Sequence, residues 1–160
     1  MKTNINYHIA PSYSIENDLF GDCKYIIVSS ENRYDSLAEK ENVCVLHFAD
    51  TEVETRLDAF CADDLEVIIG FLKDGEYENV FIACDEGQSR SPAIAAGLLK
   101  CTGNDDNYIW ESDEYRPNVH VYKTILKYFN STCKASVKKE LKLITETSPE
   151  EYIIIRKNGL

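Results

Sequence analysis

The sequence predicts an α/β fold: a central, mostly parallel sheet flanked by helices, followed by a helical C-terminal half. Three observations predict it. Short β-branched or aromatic runs recur at Tyr25-Ile26-Ile27-Val28, Val43-Cys44-Val45-Leu46-His47-Phe48 and Val80-Phe81-Ile82-Ala83, each with the length and composition of a buried strand. Stretches with helical periodicity separate these runs, and that alternation builds parallel sheets through right-handed crossovers. After Ser91 the pattern is almost wholly helical.

Taken in order, Ser30 is placed to cap a helix over residues 31–39, between the first two strands. Leu57, Phe60, Cys61, Leu65, Ile68 and Leu72 recur at steps of three and four, which predicts an amphipathic helix over residues 55–73 ending near Gly75. The third strand follows directly. Residues 91–100 are rich in Ala and Leu, with Pro92 in the first turn, where its missing N–H costs nothing. Further helices are expected over residues 105–111, 118–129 and 136–145, and the Tyr152-Ile153-Ile154-Ile155 run fits an added strand and a docked tail equally.

The 160 residues are 44% hydrophobic and 28% charged, as in ordinary globular chains, so one domain over residues 1–160 is expected. No repeat, low-complexity tract or linker interrupts it. Six cysteines lack the spacing of a zinc site, and Cys44 and Cys61 read as buried thiols in apolar surroundings. The amino terminus lacks a signal-peptide pattern and no apolar run is long enough to cross a bilayer, so a cytoplasmic setting is expected. A net charge of −11 argues against nucleic acid and anionic membrane as partners, because both need a basic footprint. An anion has to be captured locally.

The place for that capture is the turn after the third strand, Cys84-Asp85-Glu86-Gly87-Gln88-Ser89-Arg90-Ser91. A cysteine and an arginine five residues apart are a weak signal alone; between a strand and a helix, with Gly87 inside, they are specific. Successive backbone N–H groups from Asp85 to Arg90 can curl into a nest for a phosphate dianion, and the following helix adds its positive end. Gly87 supplies the conformational freedom and close approach that the curl needs. Arg90 offers a planar fork to two phosphoryl oxygens and stays charged. Thiolates are stabilised by helix N-termini and nearby cations, and a thiolate at Cys84 is the nucleophile that forms a phosphocysteine. Asp50 ends the second strand, on the sheet edge that carries Cys84, and is the candidate acid for the leaving oxygen. Ser91 can donate its hydroxyl to the sulfur when the thiophosphate breaks down.

From Cys84 to Ser91 the chain resembles the dual-specificity branch of the cysteine-dependent protein tyrosine phosphatases, whose loop reads His-Cys-x-x-Gly-x-Ser-Arg-Ser. Tyr115-Arg116-Pro117-Asn118 before a helix is similar to that family's Pro-Asn element, and the resemblance spans about residues 25–130. It implies a nucleophile at Cys84, phosphate binding by Arg90, dephosphorylation assisted by Ser91, an acid at Asp50 and Asn118 near the loop. It also implies a sheet with helices on both sides and hydrolysis of phosphomonoesters, foremost protein phosphotyrosine and then phosphoserine or phosphothreonine. The partner is then a phosphorylated protein or peptide, with no cofactor and no metal. Ala83 stands where the family usually has His. Asp85 and Glu86 add negative charge, which disfavours inositol polyphosphates and RNA 5′-triphosphate ends.

Ala83 and the acidic loop motivate an alternative, a phosphopeptide-binding pseudophosphatase. A sulfurtransferase or arsenate-reducing enzyme is a third reading, against which Asp50 and Ser91 argue. Other candidates have plainer readings: Asp58, Asp63 and Asp64 as solvated carboxylates of the amphipathic helix, and His8, His47 and His120 as structural histidines.

Overall fold

A computed structural model of the protein describes residues 5–132. Its sheet has four strands, all parallel, in the order β1-β4-β2-β3: β1 Asn6–Pro11, β2 Cys23–Val28, β3 Val43–Leu46 and β4 Asn79–Cys84. The fold class is therefore as the sequence predicts. β1 is an addition, and it pairs with β4 from Asn6 opposite Asn79 to Pro11 opposite Cys84. The second predicted run is shorter than expected, since β3 stops at Leu46 and leaves His47 and Phe48 beyond it.

Four α-helices follow: α1 Ala62–Lys73, α2 Arg90–Cys101, α3 Asn107–Glu111 and α4 Val119–Lys127. Successive strand residues face opposite sides of a sheet, and the two sides here are covered differently. Ile26, Val28, Val80, Ile82 and Cys84 share one core with Leu65 and Ile68 of α1, Ile94 and Leu98 of α2, and Val121 and Ile125 of α4. Tyr25, Ile27 and Ala83 face a smaller core closed by Ile15 and Tyr34. On that side the cover comes from the short 3-10 segments Ser12–Ser14 and Asn32–Glu39, so the α-helices described lie against one face rather than both. α2 and α4 approach very closely: a Cβ added to Gly97 would lie 2.7 Å from Cδ1 of Ile125.

The longest helix expected from the pattern is corrected at its start. α1 begins at Ala62 because Cys61 is its N-cap and Asp64 Oδ2 accepts the Cys61 N–H at 2.9 Å, closing a capping box. Residues 55–60 belong to a loop, in which the Ala49 N–H donates to the Asp58 carbonyl at 2.7 Å. Leu57 is consequently 105% exposed instead of lying on an apolar helix face. Asp58 pairs with Arg56 in that loop and is not helical. Cys61 is exposed, contrary to its reading as a buried thiol, whereas Cys44 is buried and burial pushes its thiol up to about 11. The predicted helix over residues 136–145, the Tyr152–Ile155 run and Cys133 lie outside the described residues.

Candidate active site

The C-terminal ends of β2, β3 and β4 open on one edge of the sheet, and each delivers a polar group there. β4 ends in Cys84, whose side chain is buried. Its Sγ lies 3.1 Å from Ser91 Oγ and accepts the Ser91 N–H at 3.4 Å. Both contacts come from the first turn of α2, so the sulfur sits against the positive end of that helix.

Gly87 makes the curl between β4 and α2 possible. Its φ is +69°, a left-handed conformation, and a Cβ there would stand 2.6 Å from the nitrogen of Pro11 and 2.7 Å from the carbonyl carbon of Ala10. Thus the end of β1 forms a wall against the loop. Gly87→Ala is expected to lower stability by at least about 2 kcal/mol, from left-handed strain and backbone collision together, measured as a lower midpoint in urea unfolding.

Arg90 is the first residue of α2, and its side chain is only 6% exposed. Nη1 donates to the Phe48 carbonyl at 2.9 Å and to Ser30 Oγ at 3.0 Å, while Nη2 donates to Asp85 Oδ2 at 2.8 Å. The Nε–H is buried and has no hydrogen-bond partner. A buried, unsatisfied donor on a guanidinium is costly unless something accepts from it.

Asp50 stands exposed at the rim, four residues after β3 ends at Leu46. Its Oδ1 accepts from Ser89 Oγ and from Asn118 Nδ2, each at 2.8 Å. Asn118 is buried and acts as a junction. Nδ2 also donates to the Thr51 carbonyl at 3.1 Å, Oδ1 caps α4 by accepting the Val121 N–H at 3.0 Å, and its own N–H donates to the Ser89 carbonyl at 3.0 Å. The Arg116 N–H donates to the Gln88 carbonyl at 2.7 Å. Residues 116–118 therefore tie the Asp50 loop to the loop carrying Arg90.

Cys84, Arg90, Ser91, Asp50 and Asn118 are thus brought together, with Gly87 and Ser89 between them. Glu86 and Gln88 are exposed on the outer side of the turn. Asp85 belongs to the turn too, although its carboxylate grips Arg90 instead of standing clear of it. Ala83, one residue before the nucleophile candidate, faces the opposite core and is 0% exposed. The three histidines have partners elsewhere: His8 with Asn79, His47 with Asp35, and His120 with the Phe60 carbonyl.

Two participants escaped the sequence reading. Ser30 was expected to cap the 31–39 segment, but Glu31 is the N-cap and Ser30 accepts from Arg90 instead. Its signal was available: it follows the end of β2 just as Asp50 follows the end of β3. The Phe48 carbonyl carries no side-chain signal at all.

No protein-family model matches the chain, and no curated protein matches it. What the site can do follows from its own geometry: a sulfur held at a helix N-terminus, a buried guanidinium with a donor unused, a hydroxyl on the sulfur, and a carboxylate anchored on one oxygen.

Proposed function

We propose that the protein is a cysteine-dependent phosphatase that hydrolyses phosphomonoesters of proteins, foremost phosphotyrosine and also phosphoserine or phosphothreonine, through a phosphocysteine intermediate. One observation carries the reading: Cys84 Sγ and the partnerless Nε–H of Arg90 belong to one tight turn whose backbone amides and helix end favour a dianion. A phosphoryl group in that turn gives Arg90 Nε the acceptor it lacks. Cys84 then attacks phosphorus, the P–O bond to the substrate breaks, and the leaving oxygen takes a proton from Asp50.

Both hydrogen bonds to Asp50 fall on Oδ1, so Oδ2 is the oxygen free to carry that proton. In the second step water attacks phosphorus and gives a proton to the Asp50 carboxylate, the P–S bond breaks, and Ser91 Oγ, already 3.1 Å from the sulfur, donates to it as it departs. The chemistry needs a reduced thiol, and a cytoplasmic setting suits it; Cys23, Cys44 and Cys84 are buried free thiols.

The test is steady-state hydrolysis of aryl phosphates. Wild-type protein is expected to turn over p-nitrophenyl phosphate, and Asp50→Asn is expected to lose about 10²-fold in kcat with a poor leaving group such as phenyl phosphate and much less with a good one. Equal losses for both leaving groups would place the acid elsewhere. Phosphotyrosine peptide bound by wild-type protein without any turnover would make the chain a phosphopeptide-binding module instead.

A further inference from the structure

The ion pair between Arg90 and Asp85 takes no part in the two hydrolytic steps. Nε and Nη2 form the edge of a guanidinium that takes a phosphate in bidentate fashion. Here Asp85 Oδ2 holds Nη2 at 2.8 Å while Nε is without a partner, so half of that edge is occupied by the protein's own carboxylate. The two ends of the pair differ in how they are held: the Arg90 side chain is 6% exposed and bonded to the Phe48 carbonyl and Ser30, whereas that of Asp85 is 44% exposed. A phosphate entering the turn displaces Asp85, not Arg90.

Once displaced, Asp85 is a carboxylate beside a dianion, and repulsion at that separation is unfavourable unless a cation comes between them. Among the described residues bordering the turn there is little to offer. The two shallow grooves bordering the turn are lined by Asp50, Glu52, Glu86, Asp113 and Glu114 against one cation, Arg116. A cation carried by the substrate would fill that place.

Resting on the phosphatase reading, we infer that Asp85 is an internal competitor for the phosphate fork whose displacement selects phosphorylated peptides carrying Lys or Arg beside the phosphorylated residue. Such a side chain takes over Asp85 as its partner and lies along the acidic grooves. A peptide with Glu in the same place leaves Asp85 unpaired and adds to the repulsion.

Two measurements on the full chain test this, inhibition by inorganic phosphate and kcat/KM for a pair of phosphotyrosine peptides that differ only in Lys or Glu flanking the phosphotyrosine. Wild-type protein is expected to prefer the Lys peptide by about tenfold, and Asp85→Asn to reduce that preference to about threefold or less while binding phosphate about fivefold more tightly, the size of a partly exposed ion pair. Asp85→Ser is measured alongside, so that one misfolded variant does not decide the matter. An unchanged phosphate inhibition constant in the folded variants overturns the inference, as does an unchanged peptide ratio. Failure of wild-type protein and both variants to bind phosphate or release it from any ester is a different result, and removes the phosphatase reading together with the inference.

Discussion

Cys84→Ser is expected to abolish phosphate release from p-nitrophenyl phosphate, with kcat falling by at least about 10⁴-fold, while phosphate still binds. The reason is chemical more than steric. Oxygen replaces sulfur at a position whose polar contacts are the Ser91 hydroxyl and N–H, neither of which is a base able to take a hydroxyl proton. Sulfur is intrinsically the stronger nucleophile, so its loss removes the group that attacks phosphorus. Binding depends on Arg90, the amides of the turn and the end of α2, all of which the variant keeps. Calorimetric titration with phosphate or vanadate reads the binding, and a coupled phosphate assay reads turnover. Activity within about 10²-fold of wild type would exclude Cys84 as the nucleophile.

Arg90→Lys is expected to lower kcat/KM by about 10³-fold, although it keeps the charge. The guanidinium makes three hydrogen bonds in three directions and still has Nε to offer. A single ammonium cannot hold the Phe48 carbonyl and Ser30 while presenting a planar pair of donors to the transferring phosphoryl group. Part of any loss could come from weaker folding, since the bond to Phe48 joins α2 to the segment after β3. Thermal unfolding measured beside the kinetics separates the two: the rate loss should far exceed the loss of folded protein at the assay temperature.

Much of this site was legible because strong local signals coincide in it. A buried β-branched run, a glycine and an Ala- and Leu-rich helix surround Cys84 and Arg90, and each element alone restricts what the next can be. Asp50 was legible through topology, since parallel neighbouring strands end on one edge. β1 was not. Its sequence, Asn6-Tyr7-His8-Ile9-Ala10-Pro11, alternates weakly and lies at the edge of the sheet with exposed and half-buried positions, so no apolar face announces it. The periodic pattern extends the expected helix too far toward the N-terminus, because Leu57 and Phe60 both match the helical spacing by position while only Phe60 is buried. Asn118 reads as an N-cap from its position and is one, but the same amide also binds Asp50, a contact across 68 positions that no local pattern encodes. Ser30 and Asp85 were hidden likewise, their roles set by where the long Arg90 side chain ends.

The strand order has a consequence for how the molecule is made. β1 and β2 leave the ribosome before β4, yet β4 lies between them and is the strand that bonds to both. Pairs such as His8 with Phe81 close over long stretches of chain, which makes them late and slow to form. Until residues 79–84 are available, β1 has no neighbour among the described strands. The turn from Cys84 to Ser91 is translated immediately afterwards, and its Gly87 packs on the end of β1. Insertion of this last strand therefore completes the described sheet and the turn that follows it in one event, so Cys84 reaches its finished setting only when β4 has closed between β1 and β2.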